Sequence, residues 1–283
     1  MRDRFGFVEV LNIEWTCLKE FVYFSRRHFR YLIIGFYLYG YSLFNWRRAR
    51  AMRVGFCYLQ FIDDILDGDR IVKDPRGLAM KLAKQIESEQ FTNEKYSLMA
   101  EFMLADLLAN PRPGDDPKGD LLNIIETMVL DFDRSNELKL MTTQELNEQH
   151  RKTFYYSLNL LFMSARAEVR AGQVPELLAA FGWCSTMRDL EEDLSRGLVN
   201  IPSEVVNQLG HDTDIKNYEQ VAKDPEVVSW IKRENDVAIQ NLRTVRQTWN
   251  PLKEKSGFIV LNIFVSSMEK FHAKMQRKYL AHS

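Results

Sequence analysis

The sequence predicts an all-α protein. Proline and glycine are few, 8 and 13 in 283 residues, and segments that alternate β-branched with polar residues are hard to find. Hydrophobic residues make up 46% of the chain, ample for a sizeable core, and residues 1–283 are read as one all-α domain.

Taken in order, helices are expected at about 7–30, 31–45, 47–68, 76–89, 93–109, 119–138, 143–170, 174–195, 215–222, 226–248 and 255–280. Tyr31 to Trp46 carries no charge and is flanked by Arg26, Arg27 and Arg30 before it and Arg47, Arg48 and Arg50 after it. A membrane span needs about 20 predominantly apolar residues, and this stretch is shorter and holds two glycines and several tyrosines. It reads as a buried core helix, with contact to a membrane surface as the alternative. The helix at 47–68 contains an apolar run, Val54 to Ile62, that ends in acidic residues. Asn110 to Pro117 is dense in turn formers and is the clearest loop. The helix at 174–195 runs out towards Gly197 and Pro202. There is no repeat of fixed period and no low-complexity tract.

The formal net charge of −1 argues against a nucleic-acid binder that relies on a dominant basic field. The three cysteines, Cys17, Cys57 and Cys184, have no C-x-x-C spacing and no even count, which fits a reducing cytoplasm. Met1 to Val10 lacks a basic stretch followed by an apolar core, so no secretory signal is expected. The histidines form no H-E-x-x-H, and there is no nucleophile elbow, phosphate loop or dinucleotide fingerprint.

Two acidic clusters of the same design carry the chemistry: Asp63-Asp64-Ile65-Leu66-Asp67 and Asp189-Leu190-Glu191-Glu192-Asp193. On helices, Asp63 shares a face with Asp67, and Asp189 with Asp193. Each pair repels itself, by roughly 0.2–0.5 kcal/mol even on an isolated helix. A cation offsets that cost. Carboxylate oxygens suit Mg²⁺, which commonly joins one or two carboxylates to the oxygens of a phosphate or diphosphate. The pattern predicts a magnesium-diphosphate site between two helices, with Asp63, Asp67, Asp189 and Asp193 as metal ligands. Arg188 either contacts diphosphate oxygens or pairs with a neighbouring carboxylate.

The segment Phe56 to Asp67 resembles the first aspartate-rich motif of the squalene/phytoene synthases, the head-to-head prenyltransferases. Arg188 to Asp193, with Gly197 and Pro202, resembles their second motif. Order and separation match, and the likeness covers most of the chain, with Arg50 before the first motif and Asp131 on an intervening helix. The resemblance implies a helical bundle with a central cavity, the class I isoprenoid synthase type. It implies Mg²⁺-dependent ionisation of an allylic prenyl diphosphate, transfer of the prenyl group and release of pyrophosphate. It also implies that Arg50, Gln60, Asp64, Tyr155 and Arg188 contact substrate.

The departures concern the acceptor. Where the family follows a tyrosine-containing segment with small residues, this chain reads Gln149 to Leu158 and places Phe154 and Tyr155, adding volume where a second chain would approach. Gln60 stands where an arginine is usual, Ser185 where an asparagine is usual, and Leu198 and Asn200 where arginine and tyrosine follow the second motif. The acceptor is then either a small aromatic molecule or a second prenyl diphosphate. A terpene cyclase acting on one diphosphate, and a non-catalytic relative, are the alternatives.

Overall fold

A computed structural model describes residues 5–27, 29–109, 111–210, 213–275 and 277. The described residues form twelve α-helices with three short 3-10 turns and no strands, as the sequence predicts. The helices are α1 (Phe7–Arg27), α2 (Phe29–Gly40), α3 (Trp46–Leu66), α4 (Pro75–Ser88), α5 (Lys95–Leu108) and α6 (Pro117–Glu137). They continue with α7 (Thr143–Ser164), α8 (Pro175–Arg196), α9 (Ser203–Val206), α10 (Tyr218–Val221), α11 (Pro225–Thr248) and α12 (Phe258–Met275).

Three helices begin with the same device. In Asp74-Pro75, Asp116-Pro117 and Asp224-Pro225 the aspartate side chain accepts the backbone N–H of Gly77 (2.8 Å), Gly119 (2.9 Å) and Glu226 (3.0 Å). Proline fills the first helical position, where its missing N–H costs nothing. Each such cap stabilises its helix by about 1 kcal/mol.

Several expected helices differ from the observed ones in extent. The seventh was expected to reach 170 and stops at Ser164. There the N–H groups of Ala165, Arg166 and Ala167 bond back to Leu161, Met163 and Phe162, and Arg166 takes the left-handed conformation at φ 53° without being a glycine. The second stretch ends as α-helix at Gly40 and closes in a 3-10 turn, Tyr41–Leu43. Helix α9 was not expected, and the segment at 215–222 contracts to α10. Asn110, and residues 276 and 278–280 of the last expected helix, lie outside the described residues.

The chain forms two compact units, Met1–Val129 with Tyr156–Ala167, and Leu130–Tyr155 with Glu168–Ser283. In the first, α3 is central and packs against α1, α2, α4 and α5. Its middle stretch is buried, with Val54, Cys57, Tyr58 and Ile62 at 0% exposure, as suits an apolar segment inside a core, while its first turn, Trp46 and Arg47, is exposed. Helices α1 and α2 run antiparallel, joined by ring contacts of Phe24 with Tyr31 and of Phe21 with Tyr39, both at 5.7 Å.

In the second unit α8 and α11 make the most extensive pairing, and α12 packs on both. Leu177, Leu190 and Leu194 of α8, and Val227, Ile231 and Val245 of α11, are all at most 2% exposed. Trp183 and Trp230 join edge to face at 5.4 Å. Each fully buried aliphatic side chain contributes about 1.5–3 kcal/mol of transfer free energy.

Candidate functional site

Helix α3 delivers the first acidic cluster. Asn45 caps its start by accepting the N–H of Arg48 at 3.1 Å. The helix ends at Leu66 and Asp67 is its C-cap, still right-handed at φ −74°, with its N–H bonded to the Asp63 carbonyl at 2.8 Å. Asp63 and Asp67 therefore stack on successive turns, as their spacing requires.

Burial pushes the Asp63 carboxyl well above the usual carboxylate range, and the charges of Asp67 and Asp64 push it further. The Gln60 amide opposes this by donating to Asp63 Oδ2 at 2.9 Å. The same amide donates to Asp64 Oδ1 at 2.9 Å, so one side chain holds both carboxylates.

Asp64 is turned inward, 1% exposed. Its Oδ2 lies 3.6 Å from the Arg27 guanidinium, and Arg27 also pairs with Asp69. Its carbonyl accepts the N–H of Arg70 at 2.9 Å. Arg70 reaches buried Glu20 at 2.5 Å, and Glu20 also takes Lys95 at 3.0 Å and the Tyr96 hydroxyl at 2.8 Å. Burial alone would raise the Glu20 carboxyl; these bonds outweigh it and hold Glu20 below its ordinary value. The segment following the first motif is thereby clamped onto α1 and α5. Arg50 bonds Glu14 at 2.8 Å. It stands 13 residues before Asp63 on α3, about 20 Å along the axis at 1.5 Å per residue.

The second cluster rides on α8, which starts with Pro175 and ends at Gly197 in the left-handed conformation, φ 85°. A side chain at Gly197 would put Cβ 2.8 Å from the Ser135 carbonyl oxygen, so this turn requires glycine. Asp189 and Asp193 sit one turn apart, both half-buried. Arg188 donates to Asp189 Oδ1 at 2.8 Å, makes a second contact to Oδ2, and reaches Ser185 Oγ at 3.2 Å. Of the two readings of Arg188, the pairing with its neighbour is the one this structure holds.

Beyond Gly197 the chain returns Asn200 to the acidic helix, where its Nδ2 donates to Asp193 Oδ2 at 3.0 Å. Asn200 Oδ1 accepts from Arg134 at 3.2 Å, and Arg134, 1% exposed, also donates to the Val199 carbonyl at 2.9 Å and to Asp131 Oδ1 at 2.7 Å. Burial pushes the Asp131 carboxyl up, with Arg134 and Gln149 opposing. Asn200, one of the departures from the family pattern, is thus a positioning residue for Asp193.

Phe154 stacks on Phe181 with centroids 4.1 Å apart, and Phe181 tilts against Phe264 at 5.5 Å. Tyr155 is half-buried, and its ring faces Gly172, where a Cβ would stand 3.6 Å away.

His150 belongs to no motif in the sequence. Its side chain lies over Gly182, where a Cβ would come within 2.6 Å of His150 Cβ, so the close approach of α7 and α8 here depends on glycine. The ring Nε2 is 3.2 Å from Thr186 Oγ1. Both residues help line a cavity of about 300 Å³ in the second unit, together with Trp183, Asn200 and Trp230. The indole N–H of Trp183 is buried with no hydrogen-bond partner among the described residues. Burial lowers the His150 pKa to about 4, so the ring is neutral at pH 7. Because the folded value lies below the unfolded value of about 6.5, the stabilisation is complete above that value. It is lost as pH falls towards about 4, by up to about 3 kcal/mol. Urea unfolding of His150→Asn between pH 7 and pH 4 is expected to show a flatter loss of stability than the parent; parallel curves would contradict this.

Among the described residues no three histidine, cysteine or acidic side chains converge as a ready-made metal cage. Mg²⁺ does not require one: it keeps several waters and takes one or two carboxylates plus substrate phosphate oxygens. Each stacked aspartate pair supplies that number of hard oxygen donors, and the crowding of Asp63 with Asp67 is the kind of repulsion a divalent cation relieves. Among the described residues no helix is long and apolar enough to cross a membrane.

No protein-family model matches the chain, and no curated protein sequence matches it.

Proposed function

We propose that this chain is a magnesium-dependent prenyltransferase of the squalene/phytoene synthase type, ionising an allylic prenyl diphosphate and passing the prenyl group to an acceptor. The observation that carries this reading is the stacking of Asp63 and Asp67 at the end of a buried helix, with the same arrangement repeated by Asp189 and Asp193 on α8. Mg²⁺ supplies Lewis-acid stabilisation of the negative charge that develops on departing pyrophosphate. Each pair, Asp63 with Asp67 and Asp189 with Asp193, would hold metal through its own carboxylates; Gln60 orients Asp63 and Asn200 orients Asp193. Arg188 is the cation that turns from Asp189 to diphosphate oxygens, for which its planar donors are suited.

The carbocation left behind must be kept from water, which calls for an apolar wall around it. The volume of Phe154 and Tyr155 supports a small aromatic acceptor ahead of a second prenyl diphosphate. The compartment proposed is a reducing cytoplasm, in keeping with Cys17, Cys57 and Cys184 being free and buried.

The test is incubation of the purified protein with Mg²⁺ and dimethylallyl, geranyl, farnesyl or geranylgeranyl diphosphate, with and without aromatic acceptors. Pyrophosphate release coupled to a prenylated aromatic is expected. A thirty- or forty-carbon hydrocarbon would overturn the aromatic acceptor. A cyclic terpene formed without acceptor would replace transfer by cyclisation, and absence of any turnover would overturn the activity.

A further inference from the structure

Most of the exposed large hydrophobic side chains among the described residues fall within 7–46. On α1, Phe7 (79%), Leu11 (51%), Trp15 (57%) and Val22 (48%) follow one another at helical spacing on the side turned away from the buried Ile13, Cys17 and Phe21. Helix α2 adds Phe29 (70%), Phe36 (79%) and Tyr37 (70%), and the turn after it adds Leu43 (88%) and Phe44 (85%). Scattered exposed apolar residues need no explanation, but a contiguous stripe marks an interaction surface.

Charge identifies the occupant. The exposed cations Lys19, Arg26 and Arg47 border the stripe, and Lys19 lies 5.1 Å over the Trp15 ring. Two of the three acidic residues of the same segment, Glu14 and Glu20, are turned to internal pairs, while Glu9 stays at the exposed start of α1. Glu14 pairs with Arg50 and Arg53, Glu20 with Arg70 and Lys95, and Glu9 accepts the Gly6 N–H. The outward charge here is on balance positive in a chain whose formal net charge is −1. A second copy docking on this face about a two-fold axis would bring cationic borders together. A bilayer with anionic headgroups meets the aromatic side chains with its acyl boundary and the cations with its surface charge.

We propose that the α1–α2 hairpin and the turn at 41–46 form a peripheral docking face for an anionic lipid surface. The hairpin lies on the surface, with Phe and Trp side chains entering the headgroup boundary. This stands independently of the acidic helices.

Co-sedimentation of the purified chain with phosphatidylcholine vesicles, with and without phosphatidylglycerol, tests it. The protein is expected to pellet with the anionic vesicles and to be released by salt. The double variant Phe36→Ser, Phe44→Ser is expected to bind at least about tenfold more weakly. Both side chains are exposed, so its melting temperature is expected to match the parent's, which separates lost docking from lost folding. Lys19→Glu with Arg26→Glu is expected to abolish the preference for anionic vesicles. Failure to pellet, equal pelleting with both vesicle types, or a dimer that the Phe36→Ser, Phe44→Ser variant dissociates would each overturn the proposal, the last by assigning the face to a second copy.

Discussion

Asp63→Asn is expected to reduce turnover of an allylic diphosphate by about 100- to 1000-fold, the usual loss when one preorganised stabiliser of developing charge is removed. The same change removes the repulsion between Asp63, Asp67 and Asp64 and keeps an oxygen that accepts from Gln60. The metal-free variant is therefore expected to be at least as stable as its parent. Opposite movements of activity and stability separate a site built for a cation from an acidic surface. On a plain solvated face the substitution would move neither quantity appreciably. A variant that lost stability and activity together would point to Asp63 as a structural group. Steady-state kinetics and thermal unfolding without Mg²⁺ distinguish these outcomes.

The second large effect lies at Arg53. Its guanidinium, 0% exposed, donates to Glu14 at 2.7 and 3.2 Å, to the Leu38 carbonyl at 3.3 Å and to Ser42, and lies over the rings of Tyr39 (4.6 Å) and Trp46 (5.0 Å). Arg53→Leu leaves Glu14 with Arg50 alone and strands a buried carbonyl, at an expected cost of about 3–5 kcal/mol. That corresponds to a fall in melting temperature of roughly 10 °C for a chain of this size. Arg53→Lys restores the charge without the planar donor set, so it is expected to recover part of the loss only. A change below about 1 kcal/mol in Arg53→Leu would show that water or a rearranged Arg50 replaces these contacts.

How far the chain could be read in advance follows from where its signals are local. Helix α8 was located to within a residue because Pro175 opens it and Gly197 closes it. Helix α7 was overextended because Arg166 turns the chain with no glycine or proline to announce it. The stacking within each acidic pair was legible, being a matter of spacing on a single helix. Gln60, three and four positions from Asp63 and Asp64, is equally local; the partners drawn from distant segments are not. Glu20 meets Arg70 and Lys95, which lie 50 and 75 positions away, and Arg134 meets Asn200 from 66 positions away. Such pairings belong to tertiary structure. Asn200 looked like a lost family residue, yet it is the partner of Asp193. His150 looked like any isolated histidine; its contact with Gly182 exists only because two helices come close. The first uncharged stretch was read mainly as a core helix, whereas α2 buries Tyr31, Gly35 and Leu38 and leaves its other side exposed. Absence of charge signals a hydrophobic helix but does not say how many of its sides are covered.

Each aspartate pair is proposed to hold divalent metal together with pyrophosphate. Thermal unfolding of the parent, Asp63→Asn and Asp189→Asn proteins, each with Mg²⁺ alone, pyrophosphate alone and both together, tests it most directly. The parent is expected to gain about 2.7 kcal/mol when both are present at a hundredfold excess over their dissociation constant, with little gain from either alone and little in the two variants. An unchanged melting temperature in the parent, or equal gains in all three proteins, would contradict it.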